Sequence, residues 1–101
     1  MAKTKISETD LYAPIKALLE GQGYRVKGEV GAADIVAMRG DEEPVVVEMK
    51  CGFSLSLFHQ AIDRQSLSDT VYVAVPKTPG RAFALSLRKN IKLCRRCLLY
   101  T

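Results

Sequence analysis

Three ionisable side chains stand out in the segment AADIVAMRGDEEPVVVEMK, which covers residues 32–50. Asp34 lies in the first of two strand-like aliphatic runs, and Glu48 and Lys50 lie at the end of the second. Burying a charged group without a partner is costly, so these residues need a physical reason to be there. Two acids beside a lysine can bind a divalent cation and activate a water molecule. The simpler alternative is that Glu48 and Lys50 are the polar residues of a half-exposed strand and that Asp34 pairs with a lysine.

The turn-forming residues RGDEE separate the two runs, which favours an antiparallel hairpin. With these residues as the loop, Met38 lies opposite Pro44, and paired residue numbers sum to 82. Asp34 is then opposite Glu48. Because side chains alternate along a strand, Asp34, Glu48 and Lys50 share one face of the sheet.

Paired carboxylates in this register would be about 5 Å apart at their Cβ atoms and would repel each other. A positive group is therefore expected beside them, and the two candidates are Lys50 and a divalent cation. Oxygen ligands with room for water favour Mg²⁺ or Mn²⁺ over zinc.

The hydrophobic periodicity predicts the elements that position this hairpin. In chain order they are a helix in DLYAPIKALLE, strands in YRVKGEV, ADIVAM and PVVVEMK, a helix in SLSLFHQAIDRQSL, a strand in TVYVAV, a helix in GRAFALSLRKNIKLCRR and a last edge strand in CLLYT. The order α-β-β-β-α-β-α-β predicts an α/β fold with a mixed central sheet and helices on both faces.

Length and composition suit a single domain over residues 1–101, with 48% hydrophobic and 26% charged residues. The sequence has no signal-peptide pattern and no apolar run that could span a bilayer, so a cytoplasmic protein without a membrane partner is expected. The net charge is +4, and six of the fifteen basic residues lie between Arg81 and Arg96. Such a cluster attracts polyanions, although a solvated helix face would look the same.

The combination of Asp34 with EMK at residues 48–50 resembles the restriction-endonuclease-like, or PD-(D/E)xK, superfamily of nucleases. The signature of that superfamily is an aspartate on the second core strand and an acid-x-lysine on the third. More narrowly, LYAPIKALLEGQGYRVKGEVGAADIVA, VVVEMK and HQAIDR are similar to a bacterial group of domains described as phosphodiesterases of this superfamily. The resemblance covers about residues 10–76. Ala33 replaces the signature proline, and the basic third helix departs from the group.

The resemblance implies a role for each matched residue in a metal-dependent nuclease. Asp34 and Glu48 would hold Mg²⁺ or Mn²⁺, assisted by the backbone carbonyl of Met49. Glu20, at the end of the first helix, would bind the ion directly or through water. Glu29 is a rival to Glu20 for this additional acid. Lys50 would orient or deprotonate the attacking water and offset negative charge.

Two residues of the second helix and the basic residues of the third helix complete the predicted site. Gln60 and Arg64, one helical turn apart, match a glutamine-containing motif that supports the site in some branches of the superfamily. Nucleic acid, DNA in preference to RNA, would be the substrate. Its phosphates would contact Arg64, Arg88, Lys92, Arg95 and Arg96.

Two further hypotheses remain at this stage. One is a catalytically inactive module for nucleic-acid binding or assembly on the same fold, which predicts salt-sensitive binding without a metal requirement. The other is a purely structural subunit. For a nuclease, a single active site per small chain favours a homodimer when both strands are cut.

Overall fold

The structure, a computed structural model, describes residues 8–30 and 33–101. Its elements are α1 (Glu8–Gly21), β1 (Arg25–Val30), β2 (Ala33–Met38), β3 (Val45–Met49), α2 (Leu55–Arg64), β4 (Thr70–Ala74) and α3 (Arg81–Arg96). The four strands form one sheet in the order β1-β2-β3-β4, antiparallel except for the parallel pair β3 and β4. The predicted α/β class with a mixed sheet is therefore confirmed. Within the described residues, no helix is long and apolar enough to cross a membrane.

The β2–β3 hairpin has the predicted register. Ile35 pairs with Val47 and Val36 pairs with Val46, so paired residue numbers sum to 82. Its turn is held by Arg39, which donates from Nε and Nη2 to the two carboxylate oxygens of Glu42, each at 2.9 Å. The loop length and the turn residues thus fix the register of residues 35–37 against residues 45–47.

Helices cover both faces of the sheet. On one face, α1 packs over a cluster of buried residues that comprises Leu19, Ile35, Ala37, Val45, Val47 and Met49. On the other face, α2 and α3 close a second cluster that comprises Ala33, Val46, Leu57, Phe58, Ala61, Val71, Val73, Cys94 and Leu99. All five residues of β3 are buried, because this central strand is covered on both sides. This double coverage explains why its sequence is a continuous apolar run in which the charge of Glu48 is exceptional.

The predicted last strand in CLLYT is reduced to a single bridge. Tyr100 lies parallel to Tyr72 of β4, donates its N–H to the Val71 carbonyl at 2.9 Å and accepts from the Val73 N–H at 2.8 Å. The residues just before it remain bound to the end of α3, since the Leu99 N–H donates to the Cys94 carbonyl at 2.8 Å. Leu99 thus still belongs to the closing turn of α3, and only Tyr100 pairs with β4, which corrects the prediction of a strand to a single bridge.

Candidate active site

Asp34 and Glu48 lie side by side where the β2–β3 ladder ends. Beyond the last backbone pair, each carboxylate accepts a hydrogen bond from the backbone of the other strand. The Asp34 N–H donates to Glu48 Oε2 at 3.2 Å, and the Met49 N–H donates to Asp34 Oδ2 at 2.8 Å. These two bonds hold the acidic pair at the end of the hairpin. Asp34 lines a pocket with residues of α1, whereas Glu48 lies beside Arg64 of α2. Oδ1 of Asp34 and Oε1 of Glu48 take no part in either bond.

Glu48 is almost completely buried, with 1% of its surface exposed. Burial raises the pKa of the Glu48 carboxyl, and the negative charge of Asp34 raises it further. The hydrogen bond from the Asp34 N–H and the guanidinium of Arg64 act in the opposite direction. Because the contributions that raise the pKa prevail, an additional cation nearby would stabilise the ionised form of Glu48.

The cation beside Glu48 in the structure is Arg64. Its Nε lies 3.4 Å from Glu48 Oε2, and its side chain is only 15% exposed. The sequence prediction counted Arg64 among the contacts to phosphate, whereas the structure directs it inward against the acidic pair. The reason lies in helical spacing: Leu57 and Ala61 of α2 are buried against the sheet, and position 64 follows on the same face. This spacing is the signal from which the inward position of Arg64 could have been predicted.

Among the described residues, neither Lys50 nor Gln60 forms an ion pair or a hydrogen bond with Asp34 or Glu48. Lys50 Nζ is 3.9 Å from Oε2 of Glu8, at the start of α1, so the ion pair of the lysine is with α1. Gln60 is half-buried on α2, and among the described residues no hydrogen bond joins it to Asp34 or Glu48.

A pocket of about 450 Å³ opens beside Asp34. It is lined by Glu8, Thr9, Tyr12, Gly28, Glu29, Asp34 and Met49. Glu29 reaches it because the β1–β2 register, with Gly28 opposite Ile35, puts Glu29 opposite Asp34. Glu29 also has a positive φ of 52°, an uncommon backbone conformation for a residue with a side chain. Glu8 and Tyr12 were not singled out from the sequence, because nothing in their local pattern differs from an ordinary helix.

Glu20 does not line this pocket, which corrects its predicted place beside the metal. It follows Glu8 by twelve residues of α1, or about 18 Å along the helix axis. The chain passes from the end of α1 directly into β1, whose first residue, Arg25, pairs with Met38 at the far end of β2 from Asp34. The C-terminal end of α1 therefore lies at the opposite end of the sheet from Asp34. Of the two rival acids, the structure brings Glu29 to the pocket.

The donor set suits a hard divalent cation only in part. In the part of the chain that the structure describes, no group of three or more histidine, cysteine, aspartate or glutamate side chains could hold a metal ion. Magnesium, however, is commonly bound by one or two carboxylates, with water and substrate phosphate completing its shell. Asp34 and Glu48, with the carbonyl of Met49 at the end of β3, fit a site of this incomplete kind.

One face of α3 is strongly basic. Its sixteen residues include no acid, and its six basic residues are all exposed. These residues are Arg81, Arg88, Lys89, Lys92, Arg95 and Arg96. At 3.6 residues per turn they fall within an arc of about 120°, opposite the buried Cys94. The four residues predicted to contact phosphate on this helix are thus exposed on one face, which we call the basic face.

Comparison with models of known families, with curated proteins and with solved structures gives no match for this chain. The resemblance to the PD-(D/E)xK superfamily therefore rests on the sequence motifs alone.

Proposed function

We propose that this protein is a metal-dependent phosphodiesterase that hydrolyses nucleic acid, with DNA preferred over RNA, in the cytoplasm. The observation that carries the proposal is the acidic pair. Asp34 and Glu48 are fixed side by side by reciprocal hydrogen bonds, with Asp34 in the lining of a pocket and Lys50 two residues beyond Glu48. Burial makes the charged form of this acidic pair unfavourable in the folded protein. Carboxylates kept in such an unfavourable environment are typical of a functional site.

Each residue of the site has a distinct task in this proposal. Asp34 and Glu48 hold Mg²⁺ or Mn²⁺, with the Met49 carbonyl as a further ligand, and Glu29 is the acid best placed to add a ligand through water. An ion held there would supply Lewis-acid chemistry, polarising a phosphoryl oxygen and lowering the pKa of water. Lys50 orients the attacking water, accepts its proton or offsets the negative charge that develops on the phosphoryl oxygens. Gln60 supports the site from α2.

The architecture supports the finer proposal of a restriction-endonuclease-like fold. The described elements follow the order α-β-β-β-α-β-α, with Asp34 on the second strand and Glu48 on the third. Each acid thus has the strand position that the superfamily signature requires. The basic face of α3 supports nucleic acid as the substrate, because a helix with six cations and no acid favours a phosphate backbone. A homodimer would provide the two sites needed to cut both strands.

A nuclease assay with Mn²⁺ and labelled DNA tests this proposal. Asp34→Asn should abolish both cleavage and Mn²⁺ binding, because it removes a ligand charge. Lys50→Met should slow cleavage about 100-fold or more while the fold and the binding of Mn²⁺ persist. Matched controls are Asp41→Asn in the exposed hairpin loop and Lys27→Met on β1, both expected to cleave like the wild type. Undiminished cleavage by Asp34→Asn and Lys50→Met together would reject the proposed site.

A second candidate is a catalytically inactive nucleic-acid-binding module on the same fold. The contact between Arg64 and Glu48 favours it, because a guanidinium at 3.4 Å can balance the buried carboxylate without a metal ion. This candidate predicts that DNA binding is sensitive to salt, independent of divalent cations and unchanged in Asp34→Asn. Binding that requires Mn²⁺ and is weakened by Asp34→Asn would exclude it.

A further inference from the structure

The proposed metal site contains a cation of its own before any metal ion binds. Nε of Arg64 lies 3.4 Å from Oε2 of Glu48, and the two side chains are 15% and 1% exposed. The same Oε2 accepts the hydrogen bond from the Asp34 N–H, so the guanidinium is directed at the carboxylate that links the two strands. Burial on this scale leaves little water to screen the charge of Arg64.

The charges at the site give a definite expectation. With Arg64 present, Asp34, Glu48 and Arg64 sum to a charge of −1, and removal of the guanidinium would leave −2. A divalent cation near Glu48 would gain from the second negative charge and would lose the repulsion from Arg64. This difference in electrostatic energy corresponds to about tenfold or more in affinity for the divalent cation, because the charges are close together in a medium less polar than water.

Resting on the proposed function, we propose that Arg64 is a resident counter-cation that competes with the divalent metal ion for Glu48. The guanidinium balances the buried carboxylate in the metal-free protein and keeps metal binding weak. A guanidinium also binds phosphate through paired hydrogen bonds, so the phosphate of an entering nucleic acid is the anion toward which Arg64 would turn. Metal ion and substrate would then bind cooperatively, because each removes an obstacle to the other.

Calorimetric titration of Mn²⁺ into wild type, Arg64→Gln and Arg25→Gln tests the competition. Arg25 is exposed at the other end of the β1–β2 ladder, so its substitution makes the same change in net charge away from the site. Arg64→Gln should bind Mn²⁺ about tenfold more tightly than wild type, and Arg25→Gln should bind like wild type. Equal or weaker binding by Arg64→Gln would overturn the competition and leave the metal site intact. If none of the three proteins binds Mn²⁺, even with a short DNA duplex, both the competition and the proposed function fail.

A measurement on the wild type covers the case in which Arg64→Gln does not fold. In ¹⁵N-labelled protein, the Nε–Hε signals of Arg64 and Arg25 are assigned through bonds and followed during addition of Mg²⁺. The Arg64 signal should shift in step with the backbone amide of Asp34, whereas the Arg25 signal should stay fixed. An Arg64 signal that remains unchanged while the Asp34 amide responds would overturn the competition without affecting the metal site.

Discussion

At the scale of single residues, Glu48 combines burial with charge. It is the only charged side chain in the buried central strand, and it lies next to a second carboxylate on β2. One backbone N–H and one guanidinium stabilise its ionised form, while burial and Asp34 oppose it. The opposing effects exceed the stabilising ones, so Glu48 binds a proton more readily in the folded protein than in the unfolded chain.

This difference predicts how stability depends on pH. Because the pKa of Glu48 is raised in the folded state, its contribution to stability is fully present below the ordinary glutamate pKa. The contribution is lost as the pH rises from that value through the raised one. Urea denaturation midpoints, measured across this range without divalent cations, should therefore fall with pH in the wild type. Glu48→Gln should flatten this dependence, since an amide does not titrate.

The control for this prediction is Glu20→Gln, which removes an exposed carboxylate at the end of α1. It makes the same change of net charge away from the acidic pair and so shows whether the flattening is specific to Glu48→Gln. The same slope in wild type and Glu48→Gln would show that Glu48 has an ordinary pKa in the folded protein.

At the scale of elements, the position of α1 over the sheet depends on a close contact between Tyr12 and Gly28. A Cβ atom at Gly28 would lie 2.9 Å from Cε1 and 3.2 Å from the hydroxyl oxygen of Tyr12. The glycine thus lets the ring approach the β1 backbone where both residues line the pocket. Because Glu8 and Thr9 lie one turn before Tyr12, this contact also fixes the start of α1 beside Asp34.

Gly28→Ala should therefore destabilise the protein by about 1–3 kcal/mol, the usual cost of inserting a methyl group into a filled space. In a Tyr12→Leu background the same substitution should cost less than half as much, because the ring that it meets is gone. Urea denaturation of the four proteins of this double-mutant cycle measures both costs. Gly21→Ala is a matched control, since a Cβ there meets nothing within 4 Å. Equal costs for Gly28→Ala in the two backgrounds would disprove the contact.

At the scale of the whole molecule, the net charge of +4 is concentrated on α3. Cys94 of α3 belongs to the same buried cluster as Leu57, Phe58 and Ala61 of α2. The end of α3 is also bound by Gln65, whose Nε2 donates to the Cys97 carbonyl at 2.8 Å. The basic face is therefore anchored to the helix that carries Arg64, on one side of the sheet.

The basic face predicts a specific salt dependence of nucleic-acid binding. Each phosphate contact contributes about 0.9 to the slope of log affinity against log salt concentration for duplex DNA. Arg88→Gln with Lys92→Gln should thus reduce the slope by about 2 and weaken binding to all sequences equally. The control pair, Arg25→Gln with Lys27→Gln on β1, should leave the slope unchanged. Fluorescence anisotropy at several salt concentrations measures the slope for each pair of substitutions. An unaltered slope for Arg88→Gln with Lys92→Gln would mean that the nucleic acid binds elsewhere.

Much of the fold and half of the site could be predicted from the sequence because they depend on neighbours along the chain. The RGDEE turn fixes the register of the β2–β3 hairpin, and this register alone brings Asp34 opposite Glu48. The period of the apolar residues identifies the three helices, and the exposed arc of α3 follows from the same period. Each of these features depends on residues within about twenty positions of one another, so the local sequence pattern is enough to predict it.

Only the tertiary structure decided which residues from distant segments meet the acidic pair. The direction of α1 over the sheet brings Glu8 to the pocket and takes Glu20 away from it. The packing of α2 against β3 turns Arg64 toward Glu48, where the sequence suggested Lys50 or a metal ion. These contacts join residues far apart in the chain, and they depend on how whole elements pack over the sheet. The sequence by itself therefore determined the two acids and their register, and long-range packing determined the charge that surrounds them.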